Sequence, residues 1–571
     1  MSEYTWVVDD VLDGDDEGTI EARIDDHVDT LRAYEDRLDD MTPSDLKAFL
    51  TTYESLLDDL SRISTYYSLL FAEDTSNTDV LAKQKQISQR RAEISNDLLF
   101  FFDWFKHLDD DQANTFINAD ELTNYAYYLS KLRRQAKHTL ARDVEEALTI
   151  KDISLSNLSD LYDTITNDFT FEFNGDELTE DELKSYVKST DASERREAYQ
   201  EQLQTYEEHA TVLTEVYTMI ANDWRNEATK LRGYDESLAV RTTGQDIQTD
   251  AVRTLMDVVR DNRDIFHDYF SLKASILDDL GHDATMNRYH VYAPLRSDKA
   301  SYDFDEARDL ILSTFNDFDE RFHDAAKTIF DADHIHSHPK KNKRSGAFCM
   351  EAPTGIPPYV MTNYNGTLND VKTLAHELGH GIHDVFIDEQ TKLNRHPVLP
   401  MAETASVFAE MLLQDRLQDD VATPEDEVAL LGGFLDDQFS TILRQVYFTE
   451  YERRAHNALN DGASQDDLND IYYDLLQEQF GDLPIPDAFK REWNSVPHMH
   501  HAPFYCNAYA WRNLLVLSLY DVYQERGDAF IDDYVDLVRA EKSESPAALL
   551  ARSGFDPTNA SFSERAYTII L

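Results

Sequence analysis

A chain of 571 residues is too long for one ordinary core and calls for about two to four domains, and its 42% hydrophobic content excludes global disorder. The 111 acidic residues against 53 basic ones give a formal net charge of −58, which excludes nucleic acid and anionic membranes as partners because no cationic stripe can release counterions from phosphate. The apolar runs Leu98–Phe102 and Leu514–Leu519 fall short of a membrane span, and the two cysteines, Cys349 and Cys506, form neither a disulfide framework nor a thiolate metal site.

The N-terminus, MSEYTWVVDDVLDGDDEG, is acidic where a secretory signal would be basic and then apolar, which predicts a cytoplasmic protein. Acidic pairs run from Asp9-Asp10 to Asp532-Asp533 and are not gathered into a funnel. That spread suits a salt-rich cytosol, where the Debye length shrinks to about 3 Å at 1 M and self-repulsion is screened. The expectation is a halophilic source.

Long stretches poor in Gly and Pro follow, among them Asp79–Trp104, Asp181–Lys230 and Thr249–Leu280. Their apolar residues recur at three- and four-residue spacing, so the fold is mostly α. Phe169 to Phe173 alternates with period two and stops at Asn174-Gly175, a strand followed by a hairpin turn. A boundary near 190 follows from this, with an N-terminal helical domain over 1–190 and a catalytic domain over 191–571. A second break spans about 334–369. It holds His334, His336 and His338 in a basic loop read as solvent-exposed, then Gly346-Ala347-Phe348-Cys349-Met350 and Pro358 to Tyr364. This predicts a small antiparallel sheet directly before the next helix.

That helix carries His376-Glu377-Leu378-Gly379-His380. Two histidines four residues apart on a helix face the same way and can share one metal ion. Glu377 is turned by about 100° from His376, which leaves it beside the ion as a base and not as a ligand. Asn369 or Asp370 is placed to cap the helix. The metzincin pattern HExxHxxGxxH is excluded, since His383 and Phe386 occupy the glycine and final histidine positions. The third ligand is then a glutamate from a following helix: Glu389 is too near, whereas Glu403 opens a helix after a loop containing Leu399-Pro400. Glu410, seven residues on, lies on the same face and suits support of a ligand imidazole. His383 reads as a core or supporting histidine.

Downstream, Pro497-His498-Met499-His500-His501-Ala502-Pro503-Phe504-Tyr505-Cys506-Asn507-Ala508-Tyr509 gathers histidines and tyrosines. Pro503 fits a first helical turn, after which Tyr505 and Tyr509 would share a face. Neutral donors of this kind stabilise the oxyanion of peptide hydrolysis, although an aromatic packing surface accounts for them equally well.

Four segments in this order, KRSGAFC (343–349), PYVMTNYNGTLNDVKTLAHELGHGIH (358–383), MAETASVFAEML (401–412) and PHMHHAPFYCNAYA (497–510), together with Arg444-Gln445, resemble the oligoendopeptidase F group of thimet-oligopeptidase-like zinc peptidases over nearly the whole chain. The resemblance implies a two-lobed, clam-like helical enzyme enclosing a deep channel, open to short unfolded peptides. It implies one zinc ion per chain on His376, His380 and Glu403, Glu377 as catalytic base, and His498 with Tyr505 or Tyr509 over the scissile carbonyl. It also implies that Gly346, Ala347 and Phe348 hold substrate backbone by strand addition, with His501 beside the substrate. Asn507 and Trp511-Arg512 depart from the group's pattern. The expected function is hydrolysis of internal bonds of oligopeptides. The alternative is a peptide-binding protein with a structural zinc, which the intact base glutamate argues against.

Overall fold

The computed structural model describes residues 4–281, 285–295, 301–395, 398, 401–540 and 543–571. Helices dominate, as the apolar spacing predicts. Those used below are α1 (Ala192–Asn226), α2 (Ser237–Gly244), α3 (Leu368–Ile387), α4 (Thr404–Asp419), α5 (Arg444–Asn460), α6 (Pro497–His501), α7 (Asn507–Arg526) and α8 (Asp528–Ala540). The strands are β1 (Phe171–Phe173), β2 (Asp176–Leu178), β3 (Ile335–His336), β4 (Phe348–Met350) and β5 (Tyr359–Met361).

β1 and β2 form the predicted hairpin. Asn174 and Gly175 both take positive φ, 54° and 91°, as a tight two-residue turn demands. Phe171 and Phe173 point inward onto Tyr206, Leu213 and Val216, while Glu172 points out.

The second sheet has the order β3-β5-β4. β4 and β5 are antiparallel, with Cys349 opposite Val360, and β3 joins β5 in parallel, so the sheet is mixed. Residues 4–7 run beside β3: the Ser337 N–H donates to the Tyr4 carbonyl (3.1 Å) and the Val7 N–H to the Asp333 carbonyl (3.0 Å). This segment brings the Trp6 ring onto His336 (5.2 Å), Phe348 (6.2 Å) and Tyr359 (6.1 Å). His334 and His336 are therefore buried, against the expectation of a solvent-exposed loop. Trp6 covers His336 from more than 300 positions away and Tyr359 stacks on His334 at 3.8 Å, neither of which local composition could register.

The chain forms two compact units, each assembled from three stretches: Met1–Lys137, Asp298–Asp419 and Val522–Phe555 in one, His138–Ser297, Asp420–Asp521 and Asp556–Leu571 in the other. Within the first unit, α8 returns from beyond residue 520 to pack on α3. Tyr534 of α8 stacks on Phe408 of α4 (4.1 Å) and donates its hydroxyl to the Thr404 carbonyl (2.9 Å).

Candidate metal centre

Thr367 caps α3, accepting from the Asp370 N–H (3.2 Å), while the Asp370 carboxylate accepts the Thr367 N–H (2.9 Å). The expected caps, Asn369 and Asp370, lie inside the first turn; Asp370 is the reciprocal partner of a capping box and not the cap. Eleven residues of α3 are buried, so the helix is held along most of its length. α4 lies against it, and Gly379 sets how closely. A Cβ on Gly379 would fall 2.5 Å from Ser406 Cα and 2.8 Å from the Ala405 carbonyl oxygen. Only the missing side chain lets the first turn of α4 approach the turn between His376 and His380.

Glu403 stands at the head of α4. Its carbonyl accepts the Val407 N–H (3.1 Å) and its Oε2 accepts the Ser406 hydroxyl (2.9 Å). Leu399 and Pro400 of the preceding loop lie outside the described residues. His376 Nε2, His380 Nε2 and Glu403 Oε2 converge, with separations of 3.2 Å between the histidines, 3.2 Å from His376 to Glu403 and 3.5 Å from His380 to Glu403. The edge of a tetrahedron built on bonds of about 2.0–2.2 Å is roughly 3.3–3.6 Å, so two imidazoles and a carboxylate at these spacings fit a zinc-type ion. Among the described residues this is the one group of His, Cys, Asp and Glu able to hold a metal.

The surroundings tune these donors. Glu410 meets His376 Nδ1, which fixes the ring and leaves Nε2 for the metal. In the metal-free protein burial lowers the His376 pKa, but Glu403 and Glu410 outweigh it and hold it at about 10. Burial pushes Glu377 up to about 7, with His376 opposing and Glu403 adding. The Cys349 main-chain N–H on β4 also favours the Glu377 carboxylate. The Cys349 thiol is pushed up by burial and by Asp384, 3.9 Å from its sulfur, and so stays protonated. His383 is buried in the helix interior, as its position predicts.

The His/Tyr segment is arranged differently from the expectation. α6 ends at His501, and Pro503 to Cys506 form a turn instead of a helix start. Phe504 adopts a left-handed φ of 59° and α7 begins only at Asn507. Tyr505 thus sits in the turn and Tyr509 on the helix, yet their rings remain 5.5 Å apart. His498 Nε2 lies 3.1 Å from the Tyr509 hydroxyl, and its ring stacks at 5.6 Å on Tyr505. Burial and His501 lower the His498 pKa, so its ring is neutral. Burial and Tyr505 push Tyr509 up to about 12, against Arg512, whose guanidinium lies 4.3 Å over its ring. Tyr509 therefore keeps its proton at neutral pH. His501 does not join this group: its Nε2 lies 2.7 Å from Asp163. Gly346 and Ala347 lead into edge strand β4, where Phe348 is half-buried.

Two histidines one turn apart, a glutamate from the next helix and a second, buried glutamate beside them make the constellation of a metallopeptidase. The chain belongs to peptidase family M3, whose profile matches residues 185–569, and an oligopeptidase F profile matches residues 104–171. It is 23% identical to oligopeptidase PepF of Bacillus subtilis over 98% of this chain and 84% of that protein. It is 26% identical to group B oligopeptidase PepB of Streptococcus agalactiae over 89% and 86%. A crystal structure of a Chlamydophila abortus chain named as a peptidase superposes with a TM-score of 0.89 at 25% identity, covering 99% of this chain and 96% of that one. Oligoendopeptidase-F of Enterococcus faecium has the same fold, with a TM-score of 0.71 at 20% identity and 99% and 97% coverage.

Proposed function

We propose that this metallopeptidase is a zinc-dependent oligoendopeptidase that cleaves internal bonds of short, unfolded peptides. The observation that carries the reading is the convergence of His376, His380 and Glu403 within tetrahedral spacing, with Glu377 buried beside them. A zinc ion held there supplies Lewis acidity, lowering the pKa of a water and polarising a carbonyl. Glu377 accepts a proton from the attacking water as its oxygen bonds to the carbonyl carbon. Glu377 then returns that proton to the amine nitrogen as the C–N bond breaks. Tyr509 donates its hydroxyl to the developing oxyanion, and His498, 3.1 Å away, keeps that hydroxyl aimed. Tyr505 is the second candidate donor, stacked on the same histidine. The edge strand β4, entered through Gly346 and Ala347, offers Phe348 and its neighbours for pairing with an extended substrate. His501, whose Nε2 lies 2.7 Å from Asp163, belongs to the substrate's surroundings.

Restriction to oligopeptides rests on the names of the relatives. The direct assay compares a quenched short peptide with casein, each with and without a chelator. Cleavage of the peptide alone, abolished by the chelator and restored by zinc, is expected. Cleavage of casein at a comparable rate would refute the size restriction, and binding without cleavage would favour a peptide-binding role. No described helix is long and apolar enough to cross a membrane. We further infer adaptation to salt from the net charge of −58. Stability that rises steeply towards molar KCl is the expected result, and full stability in dilute buffer would count against it.

A further inference from the structure

The turn carrying Tyr505 is fixed from outside itself. Phe504 takes a left-handed backbone, a conformation unusual for a bulky aromatic, and it reverses the chain between α6, with His498, and α7, with Tyr509. Its N–H donates to Glu452 Oε1 of α5 at 2.8 Å, in a fully buried contact 52 residues distant in sequence. Arg241 of α2 donates from Nε to the Pro503 carbonyl at 3.0 Å. The Asn507 amide donates to the Phe504 carbonyl. The Phe504 ring rests on His456, one turn beyond Glu452 on α5, with centroids 4.9 Å apart. Peptide groups on both sides of the strained residue are thus clamped, and the clamp determines where Tyr505 and Tyr509 stand relative to His498.

Glu452 has no exposed surface. A carboxyl buried this deeply needs a hydrogen-bonding reason to be there, and the one it has is the Phe504 N–H. We propose that Glu452 is a positioning residue for the His498–Tyr509 pair, acting through the peptide N–H of Phe504. The inference rests on the reading that this pair serves the oxyanion. Burial pushes Glu452 up to about 8, against the Phe504 N–H and Arg241, so near neutral pH the side chain is mostly an uncharged acid. Glutamine is its close isostere: it keeps the acceptor oxygen in place, whereas aspartate keeps the acid but withdraws the oxygen by one methylene.

The test compares Glu452→Gln, Glu452→Asp, His498→Ala and Tyr509→Phe in the zinc-loaded enzyme. Metal content, kcat, KM and the Ki of a phosphinic peptide, whose tetrahedral oxygen mimics the oxyanion, are read together. E452D is expected to lose about tenfold or more in kcat and to raise the phosphinic Ki in parallel, with KM and zinc content little changed. E452Q is expected to retain most of the turnover. A purely structural role would lower the melting temperature and the active fraction without moving the Ki of the folded enzyme. Equal kcat in E452Q and E452D, or a more active E452D, overturns the inference while H498A and Y509F remain impaired. Full turnover in both H498A and Y509F overturns the oxyanion reading, and this inference with it.

Discussion

His376 and His380 stand one turn apart on a continuous helix, whereas His498 and Tyr509 meet across a chain reversal through a left-handed phenylalanine. The first arrangement is produced by helical geometry alone, and its remaining donor arrives on the next helix. The second has no regular element to set its spacing and depends on side chains 52 and 262 residues away, Glu452 and Arg241. The candidate metal ligands are built on rigid helix, while the His498–Tyr509 pair sits on a segment whose shape is borrowed from its surroundings. The difference teaches that the two groups can be disturbed separately, and under the proposed mechanism each disturbance has its own readout.

The largest separation is expected at Glu377. Glu377→Gln should keep stoichiometric zinc and lose about 10²–10⁴-fold in kcat. Metal analysis beside a peptide assay checks this, and retained turnover with full zinc would sink the mechanism. Next comes the donor segment: His498→Ala and Tyr509→Phe should each cost about 10²–10³-fold in kcat without altering metal content. Loss of zinc from either variant would erase the proposed independence of the two regions. At the helix contact, Gly379→Ala should overpack the α3–α4 interface by about 1–3 kcal/mol and weaken zinc binding, since Ser406 and Ala405 must retreat. Thermal melting with and without zinc reads both effects, and a variant with unchanged melting and affinity would show the contact to be slack.

The last effect concerns acid. His456 and His500, both wholly buried, are pushed down to about 3 by burial, with Arg225 adding to the effect on His456. His456 lies under Phe504, and His500 is stacked on Tyr162 at 4.0 Å. Above about pH 6.5 both rings are neutral folded or unfolded. Below it the unfolded chain takes up protons that the fold refuses, so stability falls with pH by about 1.4 kcal/mol per unit and per ring until about pH 3. Urea unfolding at pH 7 and pH 5 measures the slope, which His456→Phe should reduce. An unchanged acid limb in that variant would remove His456 as a cause.

Much of the metal centre was legible in the sequence because its information is local. Helical periodicity places His376, Glu377 and His380, and a short search downstream finds Glu403 and Glu410. The hairpin at Asn174-Gly175 was legible for the same reason. What escaped depends on partners far away in the chain. His334 and His336 look like loop residues in a basic run until Tyr359 stacks on the first and Trp6 covers the second. The alternation of His334, Ile335 and His336 is the one local signal of a strand there. Pro503 carries a helix-start signal that is overruled one residue later by Phe504, whose conformation is held by Glu452 and Arg241 from distant parts of the chain. Thr367, with Asp370 three residues on, is a capping box legible in the sequence. The interleaved units have no local signature, since they arise from the return of α8 to α3 and α4.

That return sets an order of events during synthesis. The Thr404 carbonyl at the head of the Glu403 helix accepts its hydrogen bond from Tyr534, 130 residues later in the chain. At elongation rates of about 5–20 residues per second, a ribosome needs roughly 7–26 s to cover that interval. For that time the nascent chain holds both histidines and Glu403 but not the helix against which the Glu403 turn is braced. The turn that carries Glu403 therefore gains its Tyr534 brace only late in translation.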